Sequence, residues 1–407
     1  MIRQTVASVS LDAIAHNLRA IRRLLARRDA EVRRDAETRR DAEIIAVVKA
    51  NAYGHGAAPV AQALEAAGAT MVACADIEEG VALRDAGIAR PILVFGALSV
   101  SDLDGIFEFG LTPTISSPSA AKAVQAAASK RAVTIGYHLK IDTGMNRLGF
   151  RHDNVGRTLP PVLASPDLRL DAVFTHFASA DVPESTLLDT QRERFERAAA
   201  VVDEVAKRRV RRHASNSAAL LRDSRVWYDA VRPGLLLYGI VPPPLATTIP
   251  LRPVMSLTSR VTAVKGLRPG EGVGYGWRFQ AETPRSIAVV PAGYADGLDT
   301  RLGGRGSVLI RGHRVPVVGA VSMDMITVDV TGLDDVSPGD EVVILGAQGE
   351  ESWQRIDARE MASSIGTIPW EIVCRLGTRV ERQYESAGGP EVPQLHAGSR
   401  KPEAGSR

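Results

Sequence analysis

Cysteine is almost absent from these 407 residues: Cys74 and Cys374 are the only two. Two cysteines so far apart build neither a disulfide framework nor a tetrahedral zinc site, so both read as buried, inert thiols and no metal centre is expected. Long apolar runs are missing as well, since none approaches the roughly 18 residues that a membrane-spanning helix needs. The N-terminal MIRQTVASVSLDAIAHNL carries neither the apolar core nor the small-residue cleavage site of a secretory signal. No membrane partner is therefore expected, and the chain reads as cytoplasmic. Charge of one sign is also lacking. The formal net charge of +3 comes largely from arginines scattered along the chain, which gives a nucleic-acid partner little support.

What remains is an ordinary globular composition, 45% hydrophobic and 24% charged, in a chain long enough for two domains at roughly 100 to 200 residues each. From residue 44 to residue 234, short β-branched runs alternate with longer amphipathic segments. The runs are IIAVVK (44–49), MVACAD (71–76), PILVFG (91–96), LTPTIS (111–116), VTIGYHLKID (133–142), DAVFTHF (171–177), RRHASN (211–216) and YDAVRPG (228–234). Segments such as APVAQALEAAG and SPSAAKAVQAAASK between them repeat apolar residues at helical spacing. Eight strands with crossovers predict a (β/α)8 barrel of the TIM type over residues 11–240, with a doubly wound sheet as the competing architecture. A barrel places chemistry at the C-terminal ends of its strands, and Lys49, Lys140, Asp142, His176, Asn216 and Arg232 all fall there.

Beyond Gly234 the texture changes. A proline-rich passage, PPPLATTIPLRPV, precedes alternating runs separated by Gly, Pro and Asp, which predict a mostly-β C-terminal domain over residues 245–383. The early TVASVSLD, within residues 1–10, is expected to add a strand to it. RRDAE occurs three times, at 27–31, 33–37 and 39–43, with opposite charges at i, i+4 spacing, and reads as a solvated extension of the first helix. The tail, 385–407, has the Gly, Pro, Ser and charge content of a disordered segment.

Lys49 ends an apolar run, and two readings fit that spacing. It is a lysine whose stem lies in the protein while its charge reaches water, or an amine desolvated enough to form a Schiff base. Its surroundings favour the second. Gly54 and Gly56 allow close backbone approach, and the Tyr53 hydroxyl can donate to an anion. Asn216 and Ser217 open a helical segment after strand seven, and Gly234 and Leu235 follow strand eight, where barrels often hold a phosphate. A Schiff-base lysine facing a phosphate cradle points to pyridoxal 5'-phosphate.

At this point AVVKANAYGHG (46–56) resembles the cofactor-lysine signature of the alanine racemase family. The likeness runs on through LKIDTGMNRLGF (139–150), THFASAD (175–181), SNSAALL (215–221), VRPGLLLYG (231–239), GEGVGYG (270–276), GYADG (293–297), SMDM (322–325) and GTIPWEIVCRLGTRV (366–380). The resemblance implies a pyridoxal-phosphate-dependent isomerase that interconverts L- and D-alanine for bacterial peptidoglycan, working as a head-to-tail homodimer with shared active sites. Lys49 would hold the cofactor and act as one acid/base, with Tyr275 reaching across from the other subunit as the second. A free phenol titrates near 10, so a tyrosine base needs neighbours that stabilise its anion; the family uses the residues matching His176 and Arg232. Arg232 would also face the pyridine nitrogen and keep it unprotonated. Arg147 is implied at the cofactor's phenolic oxygen and the substrate carboxylate, and Lys140 matches a lysine often carbamylated. Met323 would offer its backbone N–H to the carboxylate, Asp324 would order that loop, and Tyr294 would narrow the entrance. Two departures stand out: Trp370 occupies a position where the family usually has a phosphate-binding tyrosine, and the RRDAE repeat has no counterpart. Racemases of serine, lysine or arginine and non-catalytic cofactor-binding proteins share parts of this frame.

Overall fold

The computed structural model describes residues 4–32, 42–96, 98, 102–349 and 354–386. The chain opens with strand β1 (Val6–Ser10) and the long helix α1 (Leu11–Val32), which takes in the first RRDAE copy. The second copy, most of the third and the tail from residue 387 lie outside the described residues.

Eight parallel strands then close on themselves: β2 (Glu43–Val47), β3 (Met71–Cys74), β4 (Ile92–Val94), β5 (Thr112–Ile115), β6 (Ile135–Asp142), β7 (Leu168–Phe174), β8 (Arg211–His213) and β9 (Ala230–Val231). The pairing of β5 with β6 joins the two halves, and β9 bridges β8 and β2 to complete the (β/α)8 barrel. Helices cover the outside because their apolar stripes face the strands. In Ala57–Ala66, for example, Val60, Ala61 and Leu64 are buried. Side chains in the β region set the starts of two of these helices: Asp76 accepts from Glu79 N–H and Ser117 from Ala120 N–H.

All eight predicted strands are present, and several end sooner than their apolar runs. β2 stops at Val47, β7 at Phe174, β8 at His213 and β9 at Val231. Lys49, His176, Asn216 and Arg232 therefore sit just past the strands.

The C-terminal part is mostly β. Its main sheet contains Met255–Arg260, Ser307–Ile310, His313–Val318, Arg285–Val290, Ile326–Asp329 and Glu341–Gln348, with two short helices, Ala358–Ile365 and Pro369–Cys374, packed beside it. β1 lies inside this sheet, antiparallel to Met255–Arg260 and parallel to Glu381–Glu385. One large apolar core runs through both parts, with two smaller clusters beside it, Ile45, Ala73, Leu93 and Ala230 in the barrel and Val273, Ile287 and Val318 in the C-terminal part. No described helix is long and apolar enough to cross a membrane.

One expectation fails. Cys74 is buried, but Cys374 is exposed. It is the last residue of a one-and-a-half-turn helix whose preceding residue, Val373, takes the buried position, so Cys374 is turned outward.

Candidate functional site

A cavity of about 650 Å³ opens at the C-terminal end of the barrel. Its wall includes Lys49, Tyr53, Lys140, Arg147, His176, Asn216, Ser217, Arg232, Gly234, Leu235 and Trp370, so the fold assembles the site residues expected from the barrel, Asp142 excepted, together with Trp370. Tyr275, Tyr294, Met323 and Asp324 are not part of it. All four are exposed on the C-terminal domain. Tyr294 N–H donates to Ser322 at 3.0 Å and Ala295 N–H to Met323 at 3.1 Å, while Tyr275 is 76% exposed. A further cavity of about 510 Å³, where β1 and Met255–Arg260 meet Tyr238 and His55, has no lysine in its wall.

Lys49 is aimed by unusual backbone. Ala50, Asn51, Ala52 and Tyr53 all have φ between 52 and 54°, a left-handed turn of four non-glycine residues. Each such residue costs roughly 1–2 kcal/mol relative to the right-handed form, so the turn needs outside support. Glu79 supplies part of it, accepting from Ala50 N–H at 2.6 Å and Ala75 N–H at 2.7 Å, and thereby ties together the ends of β2 and β3. Asn51 Oδ1 accepts from Ala57 N–H at 2.8 Å. Gly54 (φ 81°) lies against the carbonyl of Val373, too close for any side chain, so the C-terminal domain presses on the same turn. His55 places Nδ1 2.9 Å from the Tyr53 carbonyl and its ring 4.6 Å from that of Tyr238. It is a support of the turn.

The result is a desolvated amine. Burial lowers the Lys49 pKa, and the positive charge of Arg147 adds to the effect. Lys140 is pushed down to about 8 by burial first and then by Arg147 and Arg232. Burial brings Arg232 to about 9, which still leaves it charged near neutrality. Four cationic side chains thus share one cavity whose wall, among the described residues, contains a single carboxylate, Asp181. Such a site is electrostatically unfinished without an anion.

The far wall is built to receive one. Asn216 caps the segment Ser217–Arg222 by accepting from Ala219 N–H at 2.9 Å. Ser217 Oγ accepts from Gly234 N–H at 2.9 Å and Leu236 N–H at 3.3 Å, which locks the loops after β8 and β9 together and leaves its own O–H to donate. The Tyr53 hydroxyl faces Gly234 so closely that a Cβ there would overlap it. A phosphate fits this cradle of hydroxyls and backbone N–H groups, a Schiff-base carbonyl fits the lowered amine, and an aromatic ring fits the space between.

Beneath lies a polar layer that sequence reasoning missed. Arg232, 3% exposed, donates to His213 Nδ1 at 2.8 Å, to the Thr175 carbonyl at 2.7 Å and to the Ala214 carbonyl at 2.9 Å; its contact with His176 Nδ1 is 3.4 Å. His213 stacks on Phe174 at 4.7 Å, and Lys140 and Arg232 lie 5.4 and 5.2 Å from that ring's centre. The period of two along β6 was the available signal, since it puts His138, Lys140 and Asp142 on one face. Asp142 itself orders the following loop, accepting from Gly144 N–H at 2.9 Å and Asn146 N–H at 3.1 Å just ahead of Arg147.

Comparison with known proteins agrees with this geometry. Residues 9–242 match the profile "Alanine racemase, N-terminal domain" and residues 254–384 match "Alanine racemase, C-terminal domain". The chain is 40% identical to an alanine racemase of Carboxydothermus hydrogenoformans over 94% of its own length and 100% of that protein's. It is 38% identical to one from Nostoc sp., over 92% of this chain and 94% of the relative. The solved alanine racemase from the D-cycloserine producer Streptomyces lavendulae superimposes with a TM-score of 0.86 at 34% identity, covering 96% of this chain and 99% of that one. With both domains matched, the barrel closed and the lysine at its mouth, this chain belongs to the alanine racemase family.

Proposed function

We propose that the chain interconverts L- and D-alanine with pyridoxal 5'-phosphate held by Lys49, through proton transfers by Lys49 and by Tyr275 of the partner subunit. The observation that carries the reading is the cavity itself, where a lysine with a lowered pKa faces a hydroxyl and N–H cradle among four cations. When bound, the cofactor withdraws electrons from the substrate's α-carbon and makes its proton removable.

Each residue then has a task. The Tyr53 and Ser217 hydroxyls and the N–H of Leu235 would hold the phosphate, with the Trp370 indole N–H in place of a phenol. Asn216 holds that loop in shape. Arg232 would donate toward the pyridine nitrogen without giving up its proton, which would limit electron withdrawal and disfavour transamination. Arg147 steers the substrate carboxylate, and Met323 N–H of the partner subunit meets it. Asp324 orders the Met323 loop through Arg379 at 2.7 Å. Lys49 moves a proton on one face of the α-carbon and Tyr275 on the other, since inversion requires removal and return on opposite faces. Burial keeps His176 neutral, and with Nδ1 facing an Arg232 N–H its proton lies on Nε2, which would donate to the Tyr275 oxygen and stabilise its anion.

Head-to-tail dimerisation is part of the reading. Tyr275, Trp277, Tyr294, Met323 and Met325 are all exposed on the C-terminal domain, an apolar group that a second copy would cover. Tyr294 would narrow the entrance to a side chain about the size of a methyl. Lys140, at about 8, has enough neutral amine to add carbon dioxide and release a proton; the resulting carbamate would offset the neighbouring arginines. Electron density at Lys140 without extra atoms would remove that part. A cytoplasmic supply of D-alanine for bacterial peptidoglycan is the role we infer. The test is direct: purified protein should absorb as a lysine-bound pyridoxal and abolish the optical activity of L-alanine, and Tyr275→Phe should lose that activity. An unchanged rate in Tyr275→Phe sinks the two-base assignment, and faster turnover of serine, lysine or arginine overturns the choice of alanine.

A further inference from the structure

We propose that His138 is a positioning residue: acting through His213, it fixes where Arg232 points. Three distances carry this. Arg232 Nη1 lies 2.8 Å from His213 Nδ1, His213 Nε2 lies 3.0 Å from His138 Nδ1, and the two rings are 5.0 Å apart. All three side chains are buried.

The protons follow from chemistry. A guanidinium has donors only, so His213 Nδ1 must be an acceptor. A neutral imidazole carries one proton, which His213 must therefore keep on Nε2. That N–H donates to His138 Nδ1, and His138 in turn holds its proton on Nε2. Every link has one polarity, from Arg232 to His213 to His138. Burial supports the required neutrality, lowering His213 well below the usual imidazole value and His138 to about 4. The charged groups acting on His138 are Asp171, Arg211 and Arg232. The chain ends at a polar cavity of about 220 Å³ at the opposite mouth of the barrel, lined by both histidines with Glu43, Arg211, Arg212 and Asp229.

His138 matters because the alternative tautomer of His213 is repulsive. A proton on Nδ1 would point at an Arg232 N–H. With His138 accepting, the Nε2–H form is satisfied at both ends. Without it, a buried N–H is left unpaired, and His213 relieves this by turning or by moving its proton. Either change takes the acceptor away from Arg232. The consequence for catalysis rests on the proposed placing of Arg232 against the cofactor ring.

The experiment uses the full-length holoenzyme in three forms: unaltered, His138→Asn and His138→Leu. Asparagine Oδ1 stands where histidine Nδ1 stood and can accept; leucine cannot. Long-range nitrogen–proton correlation of the imidazoles, with the His213 signals identified by their loss in His213→Phe, reads the tautomer. The expected result is protonated Nε2 and bare Nδ1 in the unaltered enzyme and in His138→Asn, and loss of that pattern in His138→Leu. The same pattern in all three forms, or its loss in His138→Asn as well, overturns the inference. A second readout separates the two proposals. kcat for alanine should fall at least tenfold in His138→Leu and recover to within about threefold in His138→Asn, with KM little changed. The expected tautomers with an undiminished kcat would uphold the relay and count against Arg232's place in the chemistry.

Discussion

Replacing Ala50 with glycine should stabilise the protein, although the same change in an ordinary helix destabilises it. Ala50 stands at φ 52°, ψ 53° and is exposed, so its methyl contributes little burial. Relief of the left-handed penalty is worth roughly 1–2 kcal/mol. The extra backbone entropy that glycine loses on folding returns roughly 0.5–1 kcal/mol. The net is a gain of about 0.5–1 kcal/mol. Ala126, exposed within the right-handed helix Pro118–Arg131, is the internal control, and its replacement by glycine should cost about 1 kcal/mol. Thermal unfolding of the two variants, followed by circular dichroism, should move in opposite directions around the parent. If both lose stability to a similar degree, the turn is not strained as described. If the gain appears, cofactor dissociation from Ala50→Gly should also be faster, because the turn that aims Lys49 has gained freedom.

Gly234→Ala should bind pyridoxal phosphate at least 100-fold more weakly in equilibrium dialysis while keeping its circular dichroism, because the new methyl overlaps the Tyr53 hydroxyl. Removing the carboxylate in Glu79→Ala leaves the N–H groups of Ala50 and Ala75 without their acceptor; we expect a loss of about 2 kcal/mol in urea unfolding. Acid should begin to weaken the fold above the range in which carboxylates titrate. His55 and His138 are held near 4 by burial, so between about 6.5 and 4 the unfolded chain binds protons that the native one refuses, and stability falls with pH in that window. Each contributes up to roughly 3 kcal/mol by pH 4, and melting temperatures flat from pH 7 to 4.5 would contradict it. Trp370→Phe removes the indole N–H while keeping a ring and should weaken cofactor binding about tenfold by the same dialysis.

The barrel was legible because its strands are apolar and β-branched enough to be told from the amphipathic segments around them. Their ends were less so: VVK, HF and RPG continue the texture of a strand after the ladder has stopped. The turn after Lys49 was invisible. KANAY carries no glycine to announce a left-handed turn, and besides the local contacts of Asn51 and His55 its supports, Glu79 and the pressing Val373 carbonyl, are distant in sequence. The residues of the cavity could be named from their places at strand ends. His138 and His213 were missed: the period of two along β6 puts His138 on the face of Lys140, but what each histidine meets is set by neighbours across the barrel. Cys374 was misjudged because composition says nothing about which way a short helix faces.

The position of β1 bears on synthesis. Val6 pairs with Thr258 on one side and Glu381 on the other, so the sheet of the second domain has its interior strand made first and one neighbour made near the end. At about 5–20 residues per second of translation, β1 waits for tens of seconds with both edges unpaired, while the barrel can close without it. The barrel is in effect an insertion within the sheet, and folding of the second domain is a late event in translation. Cleavage between β1 and α1 would therefore damage the domain that lies farthest from the cut along the chain.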